Sequence, residues 1–269
     1  MDDLPALQPP LILISNDDGV DAPGIHALAS AAAELGEVWV VAPDREQSAR
    51  SHAFTMHEPL RVVRRAERIL GVTGTPADAV YLAVHHLVPR RPALMLSGIN
   101  RGQNVGDDTW YSGTVAAARE CAFGGVPAIA VSLEARPHID DGARHWATAA
   151  RVAVDLAVQV LRRGAPAPLL NLNVPDRAID ALQPLVVAPL GARHYSPLVA
   201  VQHDPRGRGY YWIGGASSSF AEQPGVDGDW FHRGHPTLTA LSLDMTDHAA
   251  THALGSWVRP SQRQDGAGR

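Results

Sequence analysis

The sequence predicts an α/β protein: a Rossmann-like, mostly parallel sheet with helices on both faces, followed by a C-terminal β-rich extension. Three observations carry that expectation. Short uninterrupted apolar runs alternate with longer Ala-rich helical stretches over residues 1–175, as parallel strands covered on both faces require. Each polar segment that looks chemically loaded follows such a run, which puts those segments at the C-terminal edge of the sheet, where open α/β folds bind ligands. From about Asp176 the helical periodicity fades, and Gly, Pro and aromatic residues accumulate among short alternating runs, a hairpin pattern.

Taken in order, Leu11 to Ser15 (LILIS) is a first buried strand. Pro23 opens a helix that reaches about Leu35 and stops at Gly36, and Glu37 to Ala42 (EVWVVA) is a second strand. Leu60 to Arg64 suggests a third strand, and Pro76 to Val88 reads as a helix with proline in its first turn. Ala93 to Leu96 is a strand, Thr114 to Phe123 a helix and Ala128 to Leu133 a strand. A long helix over about Ala143 to Arg163 precedes the strand Pro168 to Val174. The expected organisation is a core over 1–175, an extension over 176–257 with hairpin arms used in oligomerisation (RGRGYYWIGG, TLTALSLDM), and a disordered tail over 258–269.

A formal charge of -5 and a pI near 6.2 leave no global basic field. Binding of a nucleic acid polymer by phosphate neutralisation is therefore not expected, whereas a local pocket for one small anion is compatible. The lone Cys121 cannot form an intramolecular disulfide, which fits a reducing compartment. The start MDDLPALQPP does not read as a secretory signal, and no apolar run approaches the roughly 20 residues of a membrane span. A cytoplasmic protein without a membrane partner is expected.

Three polar segments hold the chemistry. In ISNDDGVD, Asp17 and Asp18 follow the first strand, where many α/β proteins place glycines to hold phosphate. Adjacent carboxylates converge only if the chain turns, which Gly19 permits, and once together they repel unless a proton or cation relieves them. A divalent metal and a solvated Asx-type turn are both open readings. PDREQSARSH offers the Ser48 hydroxyl with Arg45 and Arg50, in a loop that alone reads equally as ordinary surface; His52 and His57 have no visible partner. SGINRGQNVG places three glycines with the amides of Asn100 and Asn104, and in YSGTVAAARE the residues Ser112, Gly113 and Thr114 open a helix. Hydroxyls, backbone N–H groups and the helix dipole would meet an anion there, although N-capping alone also explains Ser112 and Thr114. Trp110 and Tyr111 are candidates for base stacking or for packing. Neither GxGxxG, GxxxxGK[ST], GxSxG nor HExxH occurs, and the 13 histidines are scattered, so a histidine-rich metal site is not expected.

Taken together, NDDGVDAPGI, APDREQSARSHAFT, VTGTPADAVYLAVHHL and SGINRGQNVGDDTWYSGTVAAARE resemble, in order, the motifs of the SurE family of stationary-phase survival proteins, metal-dependent nucleotidases. The resemblance spans about residues 11 to 133. It implies one divalent cation per subunit, magnesium or manganese, held by Asp17, Asp18, Ser48 and Asn100, with Asp17 and Asp18 the catalytic pair. It further implies a phosphate pocket of Asn104, Ser112, Gly113 and Thr114, hydrolysis of nucleoside 5′- and 3′-monophosphates, and self-association to a dimer or tetramer through C-terminal β-arms. A broad small-molecule phosphatase or exopolyphosphatase, and a catalytically silent nucleotide-binding module, are the alternative readings. Ala49 stands where a glycine is common, and the run from Asp176 to Gly234 aligns poorly with the family.

Overall fold

A computed structural model describes residues 8–195, 199–213, 218–220 and 223–258. Its centre is a nine-stranded sheet built from β1 (Leu11–Ser15), β2 (Glu37–Pro43), β3 (Val62–Ala66), β4 (Ile69–Val72), β5 (Leu94–Arg101), β6 (Ala128–Leu133), β7 (Leu169–Val174), β8 (Val186–Val187) and β13 (Thr237–Leu241). The strand order is β3-β4-β2-β1-β5-β6-β7-β13-β8. From β4 to β7 every neighbour is parallel; β3 and β13 pair antiparallel with β4 and β7.

Burial on both faces explains the uninterrupted apolar strands. Ile12 and Ile14 point into a core completed by α1 (Pro23–Ala32) and α4 (Trp146–Arg163), where Ile25, Leu28 and Ala153 meet them. Leu11 and Leu13 point the other way, against α2 (Pro76–Leu82) and α3 (Gly113–Phe123), through Val80, Val115 and Cys121. Each such Leu or Ile contributes roughly 1.5–3 kcal/mol relative to exposure. Because β2 lies on one side of β1 and β5 on the other, the connections diverge at the C-terminal ends of β1 and β5. A crevice opens at that switch point.

Several elements differ from the sequence pattern. Strand β4 (ILGV) is short and interrupted by Gly71, which conceals it from a periodicity reading. The helix expected to Val88 leaves α-geometry after Leu82 and continues as a π-turn over Ala83–Leu87, closed by Val88 N–H on Ala83 O at 3.2 Å; Pro89 follows, and the residue before a proline is driven out of the helical region. Strand β5 does not stop at Leu96 but runs through SGIN, with a register shift against β6 between Ser97 and Asn100. Gly98 makes this possible: its φ is +139°, and a Cβ there would lie 2.2 Å from Val131 O.

The boundary expected at 176 does not separate the sheet, since β8 and β13 return to it from the C-terminal part. Beyond the sheet lie the antiparallel pair β10 (Val199–His203) and β11 (Gly209–Ile213), and a pairing of β9 (Arg193–Tyr195) with β12 (Ser218–Phe220). Two helices are also present there, α5 (Asp227–His232) and α6 (His248–Trp257), which the hairpin pattern did not anticipate. Apart from Val258, the expected disordered tail lies outside the described residues.

Candidate functional site

The turn after β1 is built by Asn16. Its buried side chain donates to Gly19 O (2.9 Å) and accepts from Gly19 N–H (3.1 Å), closing the chain around Asp17 and Asp18, with Gly19 at φ +103°. Asp17 is only 4% exposed and lies against the start of α3. The Thr114 hydroxyl donates to Asp17 Oδ1 at 2.5 Å, and the Thr114 backbone N–H also faces this carboxylate. Gly113 lets the two segments touch: a Cβ there would lie 2.6 Å from Asp17 Cβ and 2.8 Å from Oδ2. Burial, and then the neighbouring charge of Asp18, push the Asp17 carboxyl from 3.8 up to about 7 against the Thr114 hydrogen bonds. Burial also raises Asp18, opposed by the Arg101 backbone N–H that donates to its Oδ2 at 3.1 Å.

The loop after β2 is tied to this turn at both ends. Val20 N–H donates to Pro43 O (2.8 Å) and Gln47 N–H to Asp17 O (2.8 Å), while the exposed Ser48 hydroxyl donates to Glu46 Oε1 (2.9 Å). Farther along, Ser51 bonds through its N–H to Tyr111 O (3.1 Å) and through its hydroxyl to Trp110 O (2.7 Å). His52, which lacked a visible partner in sequence, pairs with Glu120 Oε2 at 2.9 Å. Ala49 and Ser51 have φ of 57° and 52°, left-handed values that cost a non-glycine residue of order 1 kcal/mol each; Ser51 is held there by its two bonds. The loop therefore has little freedom in where it presents Ser48.

At the end of β5, Asn100 Nδ2 donates to Gly102 O (2.7 Å), which leaves its Oδ1 available as an acceptor. Asn104 is clamped by three side chains. Its N–H donates to Asn173 Oδ1 (2.7 Å), its carbonyl accepts from Asn171 (2.8 Å) and Asn173 (3.1 Å), and its Nδ2 donates to Ser132 Oγ (2.8 Å). At the start of α3 the Ser112 hydroxyl caps the helix, accepting from Val115 N–H at 3.1 Å.

Asp17, Ser48, Asn100, Asn104 and Ser112 line one cavity of about 330 Å³ at the switch point, together with Arg101 and Tyr111. Asp18 lines a neighbouring cavity of about 290 Å³ with Asp44, Arg45 and Trp146, and Arg101 borders both. Of the expected metal ligands, Asp17, Ser48 and Asn100 thus line one cavity, and Asp18 lines the other. The Thr114 side chain is fully buried, its hydroxyl on Asp17, and neither Thr114 nor Gly113 is among the residues that line the cavity. With the Ser112 hydroxyl also engaged as a cap, an anion at this helix start would meet the Gly113 amide and the helix dipole.

The donors present are two carboxylates, a hydroxyl and an amide oxygen, a set suited to a hard divalent cation. The raised Asp17 carboxyl fits such a group, because a bound cation offsets both the burial and the Asp18 charge that disfavour its ionised form. Among the described residues, no group of three or more His, Cys, Asp or Glu side chains forms a metal site.

Four positioning residues went unnoticed in the sequence. Asn171 and Asn173 carry a readable signal: two polar residues two apart on one face of an otherwise apolar strand, LLNLNV. Asn16 had none beyond its turn propensity. Asp227 is fully buried and accepts from Gly106 N–H, Gly191 N–H and Gly228 N–H, each at 2.8 Å, fastening the C-terminal part to the site loop. Its partner Gly106 is 121 positions away.

Comparisons with known proteins identify the family. The family model of "Survival protein SurE" matches residues 12–197. The chain is 48% identical over 250 residues to "5'-nucleotidase SurE" of Citrifermentans bemidjiense, covering 93% of this chain and 99% of that one. It is 47% identical over 255 residues to the protein of the same name from Myxococcus xanthus, covering 93% and 94%. A solved structure, the SurE protein from Aquifex aeolicus, superposes with a TM-score of 0.79 at 35% identity, covering 92% of this chain and 99% of that one. With the family model spanning more than half of its length and relatives near half identity over nearly all of it, the chain belongs to the SurE family.

Proposed function

We propose that this protein is a divalent-metal-dependent phosphomonoesterase that hydrolyses nucleoside 5′- and 3′-monophosphates to nucleoside and phosphate. The observation that carries the reading is the buried carboxylate of Asp17, next to Asp18 in the chain and lining a cavity at the sheet's switch point with Ser48 and Asn100. The relatives named 5'-nucleotidase support it over a broad phosphatase, an exopolyphosphatase or a silent binding module.

Asp17, Asp18, Ser48 and Asn100 would hold one cation per chain, magnesium or manganese on the strength of an all-oxygen donor set. When bound, the cation supplies Lewis-acid polarisation of the phosphoryl group and acidifies the attacking water. The chain's own part is placement. Thr114 and the Gly113 contact fix Asp17, Arg101 N–H fixes Asp18, and the Asn171, Asn173 and Ser132 clamp fixes Asn104 beside the phosphate. The Asn104 side chain and the Gly113 amide stabilise charge on the phosphoryl oxygens as the leaving oxygen departs in line.

Self-association to a dimer or tetramer belongs to the same proposal. Val199, Val201, Trp212 and Ile213 are exposed on the β10–β11 pair, and an isolated two-stranded hairpin is marginal in water. No described helix is long and apolar enough to cross a membrane, and the expected location is the cytoplasm. The test is phosphate release from 5′- and 3′-monophosphates, p-nitrophenyl phosphate and short polyphosphate, with manganese or magnesium and after chelation. Equal rates on all of them would favour the unspecific phosphatase.

A further inference from the structure

The phosphate end of a nucleotide is provided for, but nothing above holds its base. The cavity wall is polar apart from Ala49 and Tyr111, and Tyr111, its one aromatic side chain, stands 65% exposed. Its backbone is fixed on both sides: Tyr111 N–H donates to Asp108 O (3.0 Å), Tyr111 O accepts from Ser51 N–H (3.1 Å), and the preceding Trp110 O accepts from the Ser51 hydroxyl (2.7 Å). The ring itself is uncommitted. Among the described residues it faces no other aromatic ring and its hydroxyl has no protein partner, whereas neighbouring Trp110 already has the Arg119 guanidinium 6.0 Å from its ring centroid.

We infer that Tyr111 is the stacking platform for the nucleobase, and so the residue by which the site prefers nucleoside monophosphates to other phosphate esters; this rests on the nucleotidase reading above. A rigid backbone with a free aromatic face limits the ordering that binding requires. Stacking uses the π-face that every base has, so the preference extends to purines and pyrimidines alike. Ser51 joins Tyr111 to the loop carrying Ser48, which couples the position of the base to that of the expected cation ligand. Trp110, though also exposed, is a neighbour rather than part of the cavity wall.

The test compares AMP, CMP and ribose 5-phosphate as substrates of the wild type, Tyr111→Ala and Tyr111→Phe. In parallel, calorimetry measures the binding of AMP and ribose 5-phosphate to the chelator-treated proteins. Tyr111→Ala is expected to raise KM for AMP and CMP about tenfold, toward the low end for base–aromatic stacking because one face of the base stays in water. KM for ribose 5-phosphate and kcat stay near wild type, Tyr111→Phe behaves as wild type, and AMP binding weakens by the same factor as KM. A wild type that handles AMP and ribose 5-phosphate equally, or an Ala variant that loses both in proportion, overturns the stacking inference and leaves the phosphatase reading standing. A wild type inert on all three esters overturns the proposed function, and the inference with it.

Discussion

Replacing Asp17 by asparagine should make the metal-free protein more stable while abolishing activity. The carboxyl is buried and raised from 3.8 to about 7 by burial and by Asp18, so the folded chain holds this proton more tightly than the unfolded chain. Stability from this group is whole below about pH 3.8 and is lost as pH climbs through about 7. At about 1.4 kcal/mol per pKa unit, the full penalty above pH 7 is about 4 kcal/mol. An amide carries no charge and still offers an oxygen to the Thr114 hydroxyl, but loses the charge assistance of that bond, so a net gain of about 2 kcal/mol is expected. For a chain of this size that is a rise in Tm of about 4–8 °C at pH 8. The assay is thermal unfolding at fixed protein concentration with chelator, at pH 4 and pH 8, repeated with manganese. The Asp17→Asn and wild-type curves should nearly coincide at pH 4 and separate at pH 8. With metal at 100 times its Kd the wild type should gain about 2.7 kcal/mol and the variant little. A variant less stable than wild type at pH 8 without metal, or an offset that does not change with pH, would refute the reasoning.

Other outcomes follow from the same contacts. Thr114→Val removes the hydroxyl on Asp17 Oδ1 and should weaken cation binding about 10- to 100-fold, as loss of a ligand's supporting hydrogen bond does, read by metal titration. Gly113→Ala puts a Cβ 2.6 Å from Asp17 Cβ and should cut kcat/KM by about 100-fold with the circular dichroism spectrum unchanged; wild-type activity would show that Asp17 can shift freely. Asp227→Ala strips a buried acceptor from three backbone N–H groups and should cost about 3 kcal/mol or more, seen as a lowered denaturant midpoint.

The parts of the fold most legible in the sequence are those where chemistry and periodicity coincide. Strands β1 and β6 match the runs LILIS and AIAVSL residue for residue, since burial on both faces makes such a strand almost wholly apolar. The loops after β1 and β5 were recognisable because paired carboxylates and a glycine–asparagine run are unusual outcomes of turn propensity alone. Less visible was everything that depends on distant partners. Asp17 meets Thr114 across 97 positions and Asn104 meets Asn173 across 69, so Thr114 looked like a phosphate ligand or a cap, and Asn173 like a strand residue. The return of β13 to the main sheet was hidden for a similar reason: an alternating run such as TLTAL suits a sheet edge and a free hairpin equally, and only pairing with β7 decides. His52 has its partner, Glu120, 68 positions on.

The central claim is that one cation held by Asp17, Asp18, Ser48 and Asn100 is required for hydrolysis of the phosphate ester. Titrating manganese into chelator-treated protein, while recording bound metal and AMP hydrolysis on the same samples, tests it most directly. The account predicts no turnover at zero metal, a rise in proportion to occupancy with a break at one equivalent per chain, and neither binding nor turnover in Asp18→Asn at these concentrations. Hydrolysis that survives complete chelation, or an Asp18→Asn variant as active as wild type, would contradict it.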